Sequence, residues 1–187
     1  MRIISFFLIF GLLAQNAFAE VIESLDYQYY DVDVAENQSL LFALNQASRI
    51  EQDGKISHGI TKWEVRWNYR WSSDKDGMCK IISSTTNIRG TILLPRLTNS
   101  TEDQWNQFDS FFSALLKHEQ GHYQIGKDAA KAIDEQILSL PPSSDCRALE
   151  KAVNGIANQT LDEYKKKDKE YDSNTMHGKT QGTWLEN

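Results

Sequence analysis

One stretch decides the fold, residues 101–140, which read TEDQWNQFDSFFSALLKHEQGHYQIGKDAAKAIDEQILSL. Its apolar residues recur at helical spacing throughout. Thr101 and Gln104 have the S/T-x-x-E/Q form of a capping box, which predicts that a helix begins here. The two prolines that follow residue 140 end it. The pattern fits one long helix, or two helices joined near Gly126.

This helical stretch carries an H-E-x-x-H motif, HEQGH, at residues 118–122. Two histidines four residues apart on a helix differ by only about 40° in azimuth, so His118 and His122 can reach one cation. Zinc suits them because neutral imidazole is a good zinc ligand. Glu119 lies beside them, where it can act as general base and take a proton from water. The motif therefore predicts a zinc-dependent hydrolase that cleaves an amide bond.

Both histidines belong to the apolar side of the predicted helix. The residues of that stripe are Phe111, Leu115, His118, His122, Ile125 and Ala129. The alternative interpretation is a pair of core histidines that happen to flank a glutamate. Burying two imidazoles and a carboxyl group is costly unless each finds a polar partner, and a metal ion supplies one. The stripe thus favours a metal site over incidental core residues.

The motif does not identify the third protein ligand. Asp128 has the six-residue spacing after His122 that the metzincin pattern uses, but a continuous helix turns it roughly 100° away from the two histidines. A glutamate on the following helix, as in gluzincins, would make Glu163 the ligand. His177, in the Gly- and Thr-rich tail, is a further candidate, although composition alone is typical of a frayed terminus there.

The upstream half has the period of two that is typical of strands. It is clearest at residues 61–71, TKWEVRWNYRW, where aromatic and β-branched residues occupy every second position. The other predicted elements are a strand at 25–34, a helix at 39–50, one or two strands at 78–95 ending at Pro95, a helix from 144, and an irregular tail from 173. These elements predict one α+β domain, with a small, mainly antiparallel sheet packed on the long helix and a C-terminal helix.

The first nineteen residues have the form of a secretory signal peptide. Arg2 precedes an apolar run at 3–13, and Ala17 and Ala19 give the small-x-small ending of a cleavage site. The apolar run is too short to span a bilayer and no second one follows. We therefore expect cleavage after Ala19 and a secreted or periplasmic domain, residues 20–187, without stable membrane insertion. An uncleaved anchor is the alternative.

The charge of the chain limits the classes of partner that it can bind, and its cysteine content predicts a disulfide. The chain has 26 acidic and 20 basic residues and a net charge of −6, so it has no electrostatic reason to bind nucleic acid or anionic lipid. Its two cysteines, Cys79 and Cys146, are expected to form a disulfide in an oxidising compartment. Zinc sites that use cysteine usually have a closely spaced pair, which argues against a ligand role for these two.

The chain resembles a bacterial family described as predicted secreted zinc-dependent proteases, also called domain of unknown function 922. The motifs that carry the resemblance are, in order, YYDV at 29–32, T-x-W-x-V-x-W-x-Y at 61–69, Cys79, Leu94-Pro95, Trp105, H-E-x-G-H at 118–122, Cys146, and Y-D-x-x-T-x-H-G-x-T-Q-G at 171–182. The resemblance implies a zincin-like fold and one zinc ion per chain. Because the tail motif recurs with H-E-x-G-H, it also implies that His177 or its neighbours share in the site, with His177 as third ligand.

Three functions follow from these observations. The first is an exported zinc metallopeptidase that acts on a peptide or protein, with Glu119 as general base. The second is a non-catalytic, zinc-containing binding module of the cell envelope, in which Trp63, Trp67 and Trp71 contact a partner or glycan, although core packing explains these side chains more simply. The third is a hydrolase of a non-peptide amide such as a cell-wall linkage. Glu119 separates the first from the second, because a purely structural metal site needs no general base.

Overall fold

A computed structural model describes residues 18–52 and 54–185 of the chain. The elements, in order, are β1 Phe18–Asp33, α1 Leu40–Ala47, β2 Ile50–Gln52, β3 Lys55–Ser57, β4 Ile60–Ser73, β5 Cys79–Asn99, α2 Glu102–Ser139, α3 Cys146–Thr175 and a 3₁₀ turn Lys179–Gln181. The predicted α+β class is confirmed. The predicted signal peptide lies outside the described residues, except for the backbone at 18 and 19, which begins β1.

The central strand of the three-stranded sheet is β5, in the order β1-β5-β4. Strand β4 runs antiparallel to β5 and β1 runs parallel to it, so the sheet is mixed and the prediction of a mainly antiparallel sheet is wrong. A period of two identifies a strand but does not reveal its partner or direction. Strands β2 and β3 form a separate two-stranded antiparallel hairpin.

Strand β5 continues through Pro95 to Asn99 instead of ending at the proline. The pairing explains this, because β4 begins at Ile60, opposite Leu93, and does not pair with the residues of β5 that follow Leu93. Among the described residues, Pro95 pairs with Tyr30 of β1 and has no strand partner on its other side, so this part of β5 has one open edge there. A proline is tolerated where its missing N–H would face an unpaired edge.

The long helix α2 is one continuous element that packs across the sheet. Its capping box at Thr101 and Gln104 is formed, as predicted. Gly126 does not divide the helix. A Cβ atom at Gly126 would lie 2.9 Å from the Trp63 ring and 3.0 Å from Ile88, so the glycine permits close contact between α2 and the sheet. Ile88 is almost completely buried there, and burial of such a side chain contributes about 1.5–3 kcal/mol.

Helix α3 returns beside α2 and is anchored at its first turn. Asp145 is its N-cap and accepts a hydrogen bond from the backbone N–H of Arg147 at 2.9 Å. Cys146 is bonded to Cys79 at the start of β5, which confirms the predicted disulfide. This bond spans 67 residues of sequence and ties α3 to the sheet, a constraint worth a few kcal/mol in the chain-entropy account. None of the helices in the described residues is long and apolar enough to cross a membrane.

Candidate metal centre

The HEQGH motif lies in the middle of α2. His118, Glu119 and His122 are at most 6% exposed, so the motif is buried against neighbouring elements. Because four residues are close to one helical turn, both imidazoles project from one side of α2. That side is the one covered by α3 and by the residues after it.

Asp172 of α3 completes a cluster with the two histidines. The Nε2 atoms of His118 and His122 lie 3.3 Å apart, and each is 3.1 Å from Oδ1 of Asp172. The three atoms therefore mark the corners of a nearly equilateral triangle. Within the described residues, these are the His and carboxylate side chains whose ligand atoms converge in the manner of a metal site.

Polar contacts on the outer side of the cluster give both histidines the same tautomer. Nδ1 of His118 lies 2.9 Å from Oε1 of Gln181, and Nδ1 of His122 lies 2.8 Å from Oδ1 of Asp168. Both oxygens are acceptors, so each Nδ1–H donates and each neutral imidazole has its lone pair on Nε2. Two nitrogen lone pairs and a carboxylate oxygen then face one another, an arrangement that needs a cation or a proton among them.

The size of the triangle fits zinc. With ligand distances of about 2.0–2.1 Å, the ligand atoms of a tetrahedral zinc site are separated by about 3.3–3.4 Å. The observed separations in the cluster of His118, His122 and Asp172 are 3.1–3.3 Å. Three protein ligands leave one tetrahedral position open, as in catalytic zinc sites. The contact from His122 to Asp168 is also the kind of carboxylate contact that orients metal-binding histidines.

Without a bound cation, opposite charges hold the cluster together. Burial lowers the pKa of His122, but hydrogen bonds to Asp168 and Asp172 and the charges of these carboxylates outweigh it and raise that pKa to about 10. Burial raises the pKa of Asp172, but hydrogen bonds from His118 and His122 outweigh it and bring that pKa well below its usual range. The cluster therefore favours positive charge at its centre, and a metal ion must displace a proton to bind.

Glu119 is held beside the cluster by the sheet. The hydroxyl of Thr61, on β4, lies 2.7 Å from Oε2 of Glu119 and 2.9 Å from its backbone oxygen. A Cβ atom at Gly59 would lie 2.7 Å from Oε1, so this loop approaches the carboxyl group closely because residue 59 has no side chain. Burial raises the pKa of Glu119, and the Thr61 hydrogen bond only partly opposes it. A buried carboxylate of raised pKa is suited to act as a general base.

The arrangement of motifs along these elements agrees with a family comparison. A family model described as "Bacterial protein of unknown function (DUF922)" matches residues 27–178. The chain belongs to this family. The match extends from β1 to just beyond α3 and includes the whole cluster, but the family description assigns no activity or cofactor. No curated protein and no solved structure matches the chain.

The position of Tyr171 explains why the HEQGH motif of this DUF922 chain has a glycine at residue 121. Its ring stacks on His118 with centroids 5.1 Å apart and meets His122 edge-on at 4.9 Å. Its hydroxyl group donates to the backbone oxygen of His118 at 3.3 Å. A Cβ atom at Gly121 would overlap that hydroxyl oxygen. The glycine therefore allows Tyr171 to support both imidazoles.

A pair of glycine substitutions tests this role of Tyr171. Gly121→Ala is expected to destabilise the fold by about 1–3 kcal/mol, the usual cost of overpacking, and to weaken metal binding because the tyrosine must move. Gly155→Ala is the matched control, since an added Cβ there in α3 meets nothing within 4 Å. It should stabilise by about 0.5–1 kcal/mol through helix propensity. Chemical denaturation measures both, and an unchanged midpoint for Gly121→Ala would contradict this account.

The structure places the predicted third ligands outside the cluster. Asp128 is exposed on α2 and Glu163 is exposed on α3, each accepting a hydrogen bond from a glutamine on its own helix. His177 is nearer, with Nδ1 3.6 Å from Oδ1 of Asp172, but its side chain is 47% exposed. In the structure, Asp172 and not His177 occupies the third corner of the triangle, and the identity of the third zinc ligand stays a prediction. Helix α3 ends at Thr175, and Met176 and His177 both have a φ of 53°, so His177 follows the helix and does not share the face that carries Asp172.

The sequence contained a signal for the residues that were missed. Asp168 and Asp172 are four residues apart on α3, just as His118 and His122 are on α2. Side chains at this spacing share a helix face, so two antiparallel helices can bring both pairs together. His122 contacts Asp168, and both histidines contact Asp172. A search for a second i, i+4 pair would have found them.

Proposed function

We propose that this protein is an exported zinc-dependent metallopeptidase with a zincin-like site. The observation that carries the proposal is the triangle formed by His118, His122 and Asp172 beside the buried carboxyl group of Glu119. A structural zinc site would have no use for a buried carboxylate beside its histidines. The disulfide and the predicted signal peptide support export, because such bonds persist in oxidising compartments.

The chain's own residues would prepare the site for one zinc ion. His118, His122 and Asp172 would bind it through Nε2, Nε2 and Oδ1. Gln181 and Asp168 keep the imidazoles in the required tautomer by accepting from each Nδ1–H. Zinc bound there would polarise a substrate carbonyl group and acidify a water molecule.

Glu119 would move the proton in this reaction. As the water oxygen adds to the carbonyl carbon, the carboxylate accepts the proton that the water loses. When the C–N bond breaks, Glu119 passes that proton to the departing amine. Thr61 fixes the direction of the carboxyl group through its hydrogen bond to Oε2, so the base is oriented before substrate arrives.

The tryptophan side chains of β4 support the binding-module alternative less than they support a structural role. The indole N–H of Trp67 donates to Asn154 at 3.1 Å, and that of Trp71 donates to Glu150 at 3.2 Å. Both hydrogen bonds join β4 to α3, so the indole N–H groups of these side chains are engaged within the chain. Hydrolysis of a non-peptide amide would use the same metal and base, and only the substrate assay separates it from peptidase activity.

Metal analysis combined with a cleavage assay tests the proposal. Purified protein spanning residues 20–187 should contain one zinc per chain and cleave members of a peptide library. A zinc chelator should abolish cleavage, and added zinc should restore it while magnesium should not. A fully zinc-loaded protein that leaves the whole library intact would refute the peptidase assignment.

A further inference from the structure

A cavity of about 490 Å³ opens beside the candidate metal centre. It lies between α1, the β2–β3 hairpin, α2 and the residues that follow α3. Helix α2 contributes Phe111 and Leu115, which precede His118 by two turns and one turn. Its volume lies within the range of sites that bind small molecules or single side chains.

The cavity adjoins the metal centre through two of its lining residues, although neither Glu119 nor any of the three cluster residues lines it. Leu115 lines it, and a Cβ atom at Gly59 would lie 2.9 Å from Leu115 and 2.7 Å from Oε1 of Glu119. His177 also lines it and lies 3.6 Å from Oδ1 of Asp172. A side chain held in the cavity would therefore belong to a residue close to the base and the cluster.

The lining indicates which chemical group fits. Its large apolar members are Leu41, Ile56, Phe111, Leu115, Met176, Trp184 and Leu185. The charged ones are Lys55 and Lys179, and no acidic side chain of the described residues lines the cavity, although the whole chain has a net charge of −6. Burial lowers the pKa of His58, which also lines the cavity, so its imidazole stays neutral at pH 7. Such a cavity favours an apolar group and disfavours a cation.

Building on the proposed peptidase function, we infer that this cavity is a specificity pocket. It receives a large apolar side chain, Leu to Phe in size, from the residue that flanks the scissile bond. It rejects Lys and Arg side chains, which would meet two lysines and an apolar wall without a carboxylate to pair with. Selectivity for a fitted apolar group over a smaller one is typically about 10- to 200-fold for each methylene group.

A matched peptide series tests the preference. The peptides are N-acetylated pentapeptide amides, Ala-Ala-X-Ala-Ala, in which X is Phe, Leu, Ala or Lys. We expect kcat/KM for Phe and Leu to exceed that for Ala by at least about tenfold, with Lys lowest. Mass spectrometry should locate the cut beside X. Equal rates for Phe and Ala, or a preference for Lys, would overturn the inference.

Two substitutions fill the cavity from different elements. Leu41→Trp on α1 and Ile56→Trp on β3 should each lower the ratio of kcat/KM for the Phe peptide to that for the Ala peptide at least about tenfold. Phe42→Trp is the control, because Phe42 is exposed on the same helix and outside the lining. Zinc content and unfolding midpoint show whether each variant is folded. Retention of the Phe preference in both cavity variants would overturn the inference.

Binding measurements separate failure of the pocket from failure of the peptidase proposal. Calorimetry on zinc-loaded Glu119→Gln protein reports peptide affinity without turnover. Suppose that nothing is cleaved, that the Phe peptide still binds at least tenfold more tightly than the Ala peptide, and that Leu41→Trp removes this difference. The pocket inference is then supported and the peptidase proposal is refuted. If peptides are cleaved without such a difference in affinity, the pocket inference is refuted and the peptidase proposal is supported. Absence of both cleavage and binding overturns both.

Discussion

Replacement of Asp172 by Ala should release the zinc, whereas replacement of His177 by Ala should leave it bound. Oδ1 of Asp172 lies 3.1 Å from both histidine Nε2 atoms, while Nδ1 of His177 lies 3.6 Å from that oxygen on the exposed side. The loss of a direct ligand should cost more than the ~10- to 100-fold in affinity that changes around a site usually cost. Competition with a chromophoric chelator measures the affinity of each variant.

Two exposed carboxylates provide controls for this prediction. Asp128→Ala on α2 and Glu163→Ala on α3 each remove one negative charge without removing a member of the cluster. Both should bind zinc as the unaltered protein does. If His177→Ala loses the metal and Asp172→Ala retains it, the site is instead a three-histidine centre. If Glu163→Ala alone releases it, the site is of the gluzincin kind.

Glu119→Gln should retain zinc and lose about 10²- to 10⁴-fold in turnover. The amide has nearly the same shape as the carboxyl group, and its oxygen can still accept from the Thr61 hydroxyl, which now lies 2.7 Å from Oε2. What it cannot do is take a proton from water at neutral pH. Zinc analysis together with kcat on a cleaved peptide measures both quantities.

Substitution at Thr61 is the companion to this experiment. Thr61→Val keeps the β-branched shape that suits β4 and removes only the hydroxyl group that orients Glu119. It should retain zinc and lose less turnover than Glu119→Gln, because the base is still present. Unchanged turnover in Glu119→Gln would move the protein into the class of non-catalytic binding modules.

Much of the architecture could be predicted because its signals are local. The capping box at Thr101 and the apolar stripe through residues 118–122 depend only on neighbouring positions along α2. The alternation in β4 likewise predicts a strand whose even-numbered residues are exposed, as Glu64 and Arg66 are. The predictions of α2 and β4 are therefore correct in type and nearly correct in extent.

The partners of these elements could not be predicted, because they depend on contacts between distant segments. The parallel pairing of β1 with β5 leaves no mark on the alternation of either strand. The third position of the cluster depends on the alignment of α3 with α2, which sets Asp172 against His118. Helix α3 ends at Thr175, close to the predicted start of the irregular tail at 173, and contacts such as Tyr171 with His118 hold its last turns in place.

The most direct test of the metal centre is anomalous X-ray scattering at the zinc absorption edge, from crystals of the protein spanning residues 20–187. The account predicts one peak per chain, about 2.0–2.2 Å from Nε2 of His118, Nε2 of His122 and Oδ1 of Asp172. A zinc-saturated crystal with no peak among these three atoms, or with its peak elsewhere in the chain, would contradict the account.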